Sequence, residues 1–187
     1  MTINNAKVYG INESVKAAKY PMSVNVDGLT DEITVGIKNL AKAPLGSGHD
    51  NWLNGVIVQF DLRCSIKMWT EMERYHFVDF VSSQSTMHRL VAFDLDNAYD
   101  EHVAPEMVLI MKRLIATYNA TNDKEDYLRC LYSNPCGMLL TARLTTNYRQ
   151  LKTIYRQRRF HRLTEWRDFC DWIKTLPYSG FITEDSK

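Results

Sequence analysis

The feature of this sequence that most constrains its fold is an alternating segment followed at once by a helix signal. Between Val56 and Arg63, apolar residues occupy every second position, as in a strand with one buried face. Ser65 then stands at a helix-cap position, and the apolar residues after it recur at helical spacing to about Arg74. A strand joined directly to a helix predicts a mixed α/β or α+β domain, with helices packed on a sheet.

The other predicted elements follow from breakers, caps and apolar period. Three helices are expected at Pro105–Asn119, at Lys124–Tyr132 after an Asn122–Asp123 cap, and from Thr164 onward. A long basic helix is expected over Asn147–Phe160, capped by Thr145 or Thr146, with Leu151, Ile154 and Tyr155 inward. Residues 1–45 are expected to be irregular apart from one helix near Leu29–Ala41. Leu45–Gly55 is predicted as a loop, Tyr75–Leu90 as loop and strand, and Met138–Leu144 as a strand or a helix start.

Length and composition favour one soluble domain over residues 1–187. The chain is 45% apolar and 24% charged, and it is long enough to bury a core without a metal or disulfide. Its four cysteines lack CxxC spacing and its five histidines form no i, i+4 pair, so we expect free thiols and no metal site. With no apolar run long enough for a membrane and no secretory signal, we expect a cytoplasmic protein, cellular or virus-encoded.

The charge of the chain is balanced overall but not locally. From Arg143 to Arg167, eight arginine and lysine residues face a single acidic residue, Glu165. Such a segment favours an anionic partner, such as a phosphate, a nucleotide or a nucleic acid. The alternative is a solvated helix face paired with acidic neighbours. A nucleic-acid-binding helix is a third possibility, disfavoured because no second basic patch accompanies this one.

A second unusual segment runs from Glu73 to Arg89. It contains two arginines, two histidines, three serines and a glutamine among aromatic residues, which suits directed hydrogen bonds to a phosphate or a nucleobase. A surface loop with polar caps is the alternative. The sequence contains no GxGxxG, P-loop or GxSxG motif, so phosphate loops of those kinds and a serine nucleophile elbow are excluded.

Together these segments resemble the flavin-dependent thymidylate synthases, from about Ala43 to Arg167. That family has a Gly-His-Glu element, a strand, and a helix that ends in Arg-Gln-Trp-x-Arg-His-Arg. Here Gly48–His49–Asp50 opens the loop, Val56–Arg63 is the strand, and Glu71–His76 ends the helix. The later residues that match the family pattern are Ser85, Arg89, Arg129, Pro135, Asn147, Arg149, Arg158 and Glu165–Trp166–Arg167.

The resemblance implies a twisted β-sheet flanked by helices, in a homotetramer with active sites at subunit interfaces. It implies FAD as cofactor, methylenetetrahydrofolate as the carbon donor, NADPH as the reductant of the flavin, and dUMP or a related pyrimidine nucleotide as substrate. Arg74 and Arg158 are then the candidate catalytic residues. The candidate FAD-binding residues are His49, Arg74, Tyr75, His76, Asn147 and Arg149. The candidate substrate-binding residues are Glu71, Ser85, Arg89, Arg129 and Arg158.

Three departures from the family pattern alter this expectation. Tyr75 and His76 replace a histidine and an arginine, and Glu71 replaces a glutamine, so an always-charged fork and an amide donor are lost. One hypothesis is that the Glu71 carboxylate reads the amino group of cytosine. Three functions stay open: a divergent enzyme of this kind, an inactive nucleotide-binding or sequestering module with the same fold, and a nucleic-acid-binding domain.

Overall fold

A four-stranded antiparallel sheet forms the centre of the computed structural model, which describes residues 1–184. The strands are β1 (Thr2–Tyr9), β2 (Ile57–Ser65), β3 (Asp79–Ser83) and β4 (Leu139–Asn147), in the spatial order β1-β2-β4-β3. The two central strands pair without interruption from Ile57 opposite Asn147 to Ser65 opposite Leu139. This confirms the predicted strand and decides that the segment after Met138 is a strand.

Nine α-helices connect and cover the strands within the described residues. They are α1 (Ile11–Ala17), α2 (Val35–Lys42), α3 (Ile66–Met72), α4 (Thr86–Arg89), α5 (Pro105–Thr121), α6 (Lys124–Ser133), α7 (Tyr148–Arg158), α8 (Thr164–Ile173) and α9 (Gly180–Thr183). Short 3-10 helices lie at Tyr20–Met22, Asn51–Gly55 and Leu90–Ala92. The observed architecture is therefore the predicted sheet flanked by helices.

The buried residues form two clusters that meet at the sheet. The larger one joins the inner face of β2, with Val58, Phe60 and Leu62 fully buried, to α7 and α8. The smaller one lies under α5 and α6 and includes Met111 and Leu140. Because alternate residues of β2 and β4 stay partly exposed, the opposite face of the central strands is less covered.

Residues 1–45 contain more structure than the sequence indicated. β1 is an edge strand in which only Ile3 and Val8 are half-buried, so it lacks the alternation that identified β2. At Asn5 the backbone enters the left-handed region (φ 52°), within an interruption of the pairing between Asn4 and Lys7. The predicted helix at Leu29 begins only at Val35, because the Thr34 hydroxyl caps it by accepting the Ile37 N–H.

Three further predictions require correction. The cap of α7 is Asn147, whose side chain accepts the Gln150 N–H at 2.8 Å, and not Thr145 or Thr146. The predicted loop at Leu45–Gly55 ends in a 3-10 helix. All four cysteines are free as expected, but Cys136 is exposed where a buried or half-buried thiol was predicted.

Candidate functional site

Helix α7 carries the predicted site residues Arg149 and Arg158 and is capped by Asn147, and its N-terminal end is tied to the segment after Tyr75. The Thr146 hydroxyl donates to the Phe77 carbonyl at 2.7 Å, and the Gln150 side-chain oxygen accepts the Phe77 N–H at 3.4 Å. The segment that resembles the family signature therefore runs alongside α7. Asn147 serves as the helix cap, which is the structural alternative to a ligand contact.

At the N-terminal end of α7, a buried carboxylate holds two cations. Asp50 and Lys152 are both fully buried, and their Oδ2 and Nζ atoms lie 2.8 Å apart. The other carboxylate oxygen accepts from the Arg149 Nε at 3.2 Å. Burial lowers the pKa of Lys152, and the hydrogen bond and charge of Asp50 oppose that shift. The Asp50 carboxylate thus favours the charged form of Lys152.

His49, a predicted FAD-binding residue, directly precedes Asp50 in the sequence. The residue is exposed, and its backbone N–H donates to the Ser47 hydroxyl at 3.4 Å. The side chain of Arg149 is 29% exposed, and its Nη atoms have no partner within residues 1–184. His49 is the sequence neighbour of Asp50, and Asp50 binds Arg149, so both candidates belong to the segments that meet at the N-terminal end of α7.

At the C-terminal end of α7, Glu71 is surrounded by donors. Its Oε2 accepts from Arg158 Nη1 and from the Trp166 indole N–H, each at 2.9 Å, and its Oε1 accepts from Lys67 at 2.8 Å. Burial alone would raise the pKa of Glu71. The hydrogen bonds from Lys67 and Trp166, with the charges of Lys67 and Arg158, outweigh burial and hold that pKa below its ordinary value.

Arg158 is held on several sides at once. Its Nε donates to the Tyr75 hydroxyl at 2.7 Å, and its Nη1 also lies 2.8 Å from the His161 Nε2. The guanidinium carbon stands 4.7 Å from the centre of the Trp166 ring and 5.6 Å from that of Tyr75. Glu71, Tyr75 and Arg158 therefore converge as predicted from the sequence, but they converge on one another.

Beside these clusters, the segment between α3 and β3 presents side chains to solvent. Arg74 is exposed, and its guanidinium has no hydrogen-bond or ion-pair partner within residues 1–184. His76 is exposed and contacts the ring of Phe77, which is itself 50% exposed. An exposed guanidinium three residues before an exposed aromatic ring suits an anionic ligand with a flat ring system.

Ser85 and Arg89 lie elsewhere, in a groove beyond the end of β3. Two adjoining cavities of about 460 and 220 Å³ share Gln84, Phe93 and Asp94 in their linings. Arg89 and Ser85 line the first cavity, and Arg89 is exposed with a side chain unpartnered in the described chain. Gln84 is fixed to β4, because its side-chain oxygen accepts the Thr141 N–H at 2.9 Å. This groove can accept an anion.

The structure does not gather all predicted residues into one site. The exposed Arg129 side chain lies on α6 and pairs with Asp126 at 2.8 Å. No contact within the described chain joins Arg129, or the Ser85–Arg89 groove, to the clusters on α7. The predicted residues therefore occupy five places: the two ends of α7, the exposed segment at Arg74, the groove beyond β3, and α6 with Arg129.

Sequence reasoning missed several residues that build these clusters. Asp50 and Lys152 are charged, and only their burial shows that they pair over 102 positions of sequence. Glu165 is also buried, with its Oε1 accepting the Ser65 N–H at 2.7 Å. The one sequence signal for these pairs was the number of cations in α7. A helix with so many cations is expected to bury some of them, and a buried cation requires a buried acceptor.

Among residues 1–184 there is no cluster of side chains suited to a metal ion. Over the same residues, every helix is too short or too polar to span a bilayer.

Similarity to solved structures defines the class of fold. A crystal structure of the flavin-dependent thymidylate synthase from Helicobacter pylori, complexed with FAD and dUMP, superposes with a TM-score of 0.77. The sequences are 15% identical, and the match covers 98% of this chain and 97% of that one. A second structure of the Helicobacter pylori enzyme with FAD and dUMP gives a TM-score of 0.74 over the same shares. The chain therefore has the fold of the flavin-dependent thymidylate synthases.

Sequence comparison adds nothing to this assignment. No family model matches the chain, and no curated protein matches it significantly. At 15% identity the structural likeness establishes the fold, and activity has to be argued from the residues of this chain.

Proposed function

We propose that this protein is a divergent flavin-dependent enzyme that binds FAD and reductively methylates dUMP or a related pyrimidine nucleotide. The observation that carries the proposal is the near-complete fold match to an enzyme crystallised with FAD and dUMP. By analogy with the resembling family, methylenetetrahydrofolate would supply the carbon and NADPH the electrons.

The residues present fit a dinucleotide cofactor at the exposed segment near α7. Within residues 1–184 the Arg74 guanidinium is unpaired, and the Arg149 Nη atoms are unpartnered while its Nε binds Asp50, the residue after His49. His76 and the half-exposed Phe77 ring lie next in sequence. We infer that Arg74, Tyr75, His76, His49, Asn147 and Arg149 form the flavin side of the site. Bound FAD would supply hydride-transfer chemistry, so no protein nucleophile is required.

For the nucleotide we infer a role for Ser85 and Arg89, which line the groove beyond β3. The Arg89 guanidinium would bind the phosphate, and the Ser85 hydroxyl would orient it. Arg129 and Arg158 are proposed as further anion contacts. Since these groups are not adjacent within one chain, a complete site would have to combine residues of several subunits, as in the proposed homotetramer acting in the cytoplasm.

Glu71 does not stand free to read a base. Both of its carboxylate oxygens have donors inside the chain, and the side chain is only 16% exposed. A contact between Glu71 and the cytosine amino group would have to displace one of these donors. We therefore place Glu71 as the partner of Arg158.

A second candidate function is a binding module that has kept the fold and lost the reaction. The observation that favours it is the Glu71–Arg158 ion pair, which neutralises an arginine expected to bind the anionic substrate. On this alternative, E71Q removes the charge that neutralises Arg158 and increases the affinity for dUMP. K67Q, which removes the Lys67 partner of Glu71 and leaves Arg158 and Trp166 in place, is the matched control and should leave that affinity unchanged.

The deciding experiment is a visible absorbance spectrum after incubation with FAD and removal of the unbound cofactor. A retained flavin spectrum that is lost in R74Q supports the enzyme, and consumption of dUMP with methylenetetrahydrofolate and NADPH then tests turnover. A colourless protein that still binds dUMP in calorimetry would rule out the flavoenzyme and leave the binding module. Binding to neither ligand would contradict both candidates.

A further inference from the structure

Lys152 has a completely buried side chain on a helix whose other cations are half-buried. Its ammonium group donates to the Ala41 carbonyl at 2.7 Å, to the Ala43 carbonyl at 2.6 Å and to Asp50 at 2.8 Å. An ammonium has three N–H donors, so every one of them is used inside the protein. Nothing remains with which Lys152 could bind a ligand directly.

Two of these acceptors lie at the ends of the loop that carries His49. Ala43 precedes the loop residues 44–49 and Asp50 follows them. Gly46 and Gly48 hold the left-handed backbone region within it, at φ 88° and 79°. Within residues 44–49, two hydrogen bonds form, from Ser47 N–H to the Pro44 carbonyl and from His49 N–H to the Ser47 hydroxyl. The Lys152 ammonium group therefore binds residues at both ends of the loop 44–49, which has few hydrogen bonds of its own.

Asp50 connects Lys152 to Arg149, because its carboxylate binds both side chains. One carboxylate oxygen faces Lys152 and the other accepts from the Arg149 Nε, so the guanidinium is fixed on one edge. A fully buried carboxylate is costly without its cation. Removing the Lys152 charge would favour exit of Asp50 from its buried position, and Arg149 would then lose its anchor.

We propose that Lys152 is a positioning residue, which acts through Asp50 to fix the direction of the Arg149 guanidinium and the path of residues 44–49. The predicted effect of Lys152 on flavin binding rests on the proposed function. The predicted effect of Lys152 on the position of Arg149 is independent of that function.

The first test observes Arg149 itself, by NMR of the arginine Nε–H groups in protein without ligand. R149K identifies the signal, which should be distinct and slow to exchange because Asp50 accepts that proton. K152M should lose this signal or move it to the solvent-exposed region of the spectrum. L151A, a truncation of the neighbouring fully buried side chain, should keep it. A K152M spectrum with the Arg149 signal unchanged would overturn the proposal.

The second test measures FAD dissociation constants. K152M should weaken binding about tenfold, whereas L151A should change it less than about twofold when both are compared well below their melting temperatures. D50N should weaken binding similarly, and the double variant K152M/D50N should be no weaker than either single one. Additive effects, or equal losses in K152M and L151A, would contradict positioning through Asp50.

The two proposals fail in distinguishable ways. Wild-type protein that binds no FAD contradicts the proposed function, while the Arg149 signal still decides the role of Lys152. Should K152M not fold, K152Q gives the same comparison with a shorter uncharged side chain.

Discussion

At each end of α7, an arginine of the helix is held by a carboxylate from another part of the chain. The surroundings of the two ion pairs differ. At the N-terminal end, Asp50 is fully buried and shared between Arg149 and a fully buried lysine. At the C-terminal end, Glu71 is 16% exposed and Arg158 is flanked by the rings of Tyr75 and Trp166. One end is an ionic clamp inside the protein, and the other is an aromatic cage near its surface.

This difference separates the roles available to the two arginines. In the part of the chain that the structure describes, Arg149 is bound through its Nε edge alone, so its outer nitrogens can meet a ligand. Arg158 donates to the Tyr75 hydroxyl and to Glu71, and it also faces His161. A ligand at the C-terminal end must therefore compete with internal partners, while a ligand at the N-terminal end need not.

Substitution of Asp50 by alanine should have the largest effect on stability. It leaves the buried Lys152 charge without its carboxylate, and breaking a buried pair in this way costs about 3–5 kcal/mol of unfolding free energy. Urea denaturation measures the loss. A cost below about 1 kcal/mol would show that water reaches Lys152, and the contrast between the two ends would disappear.

Substitution of Glu71 by glutamine should cost less, about 1–2 kcal/mol, because the amide oxygen still accepts a hydrogen bond and the cage is partly exposed. The pH dependence sharpens this prediction. Since the folded state lowers the pKa of Glu71 from its ordinary value of 4.5, its carboxylate stabilises the fold above that pH, and the contribution is lost as the pH falls. E71Q should flatten this acid-side loss in denaturation curves, and an unchanged slope would contradict the assignment.

Asn147 tests whether the N-terminal end of α7 needs its cap. N147A should cost about 1 kcal/mol, because the Gln150 N–H loses its acceptor. N147S restores a capping oxygen and should recover most of that stability in thermal unfolding. If N147S is stable but binds FAD weakly, Asn147 is a ligand contact as well as a cap.

Tyr75→Phe should have the smallest effect, about 0.5–1 kcal/mol. It removes the hydroxyl that accepts from Arg158 and donates to Gln157 at 3.0 Å, but it keeps the ring that packs on Trp166. Chemical denaturation is again the measurement. A loss as large as that of D50A would mean that the hydroxyl, and not the aromatic cage, holds Arg158.

The success of the sequence interpretation varied with the kind of signal. The alternation after Val56 and the Ser65 cap predicted β2 and α3 correctly, because those residues report their own backbone state. β1 was missed because an edge strand with two half-buried residues carries no such pattern. The cap of α7 was placed at a threonine because three polar residues in a row, Thr145, Thr146 and Asn147, could each have served.

The sequence by itself determined the order of the central elements, the concentration of cations in α7 and, through a resemblance over much of the chain, the fold. Only the tertiary structure decided what those cations do. Lys152 is one of the eight cations between Arg143 and Arg167, yet it is buried against Asp50, and Arg158 is engaged by Glu71. Hydrophobic period and capping act between neighbours in sequence, whereas the partner of a charge is chosen by burial across distant segments.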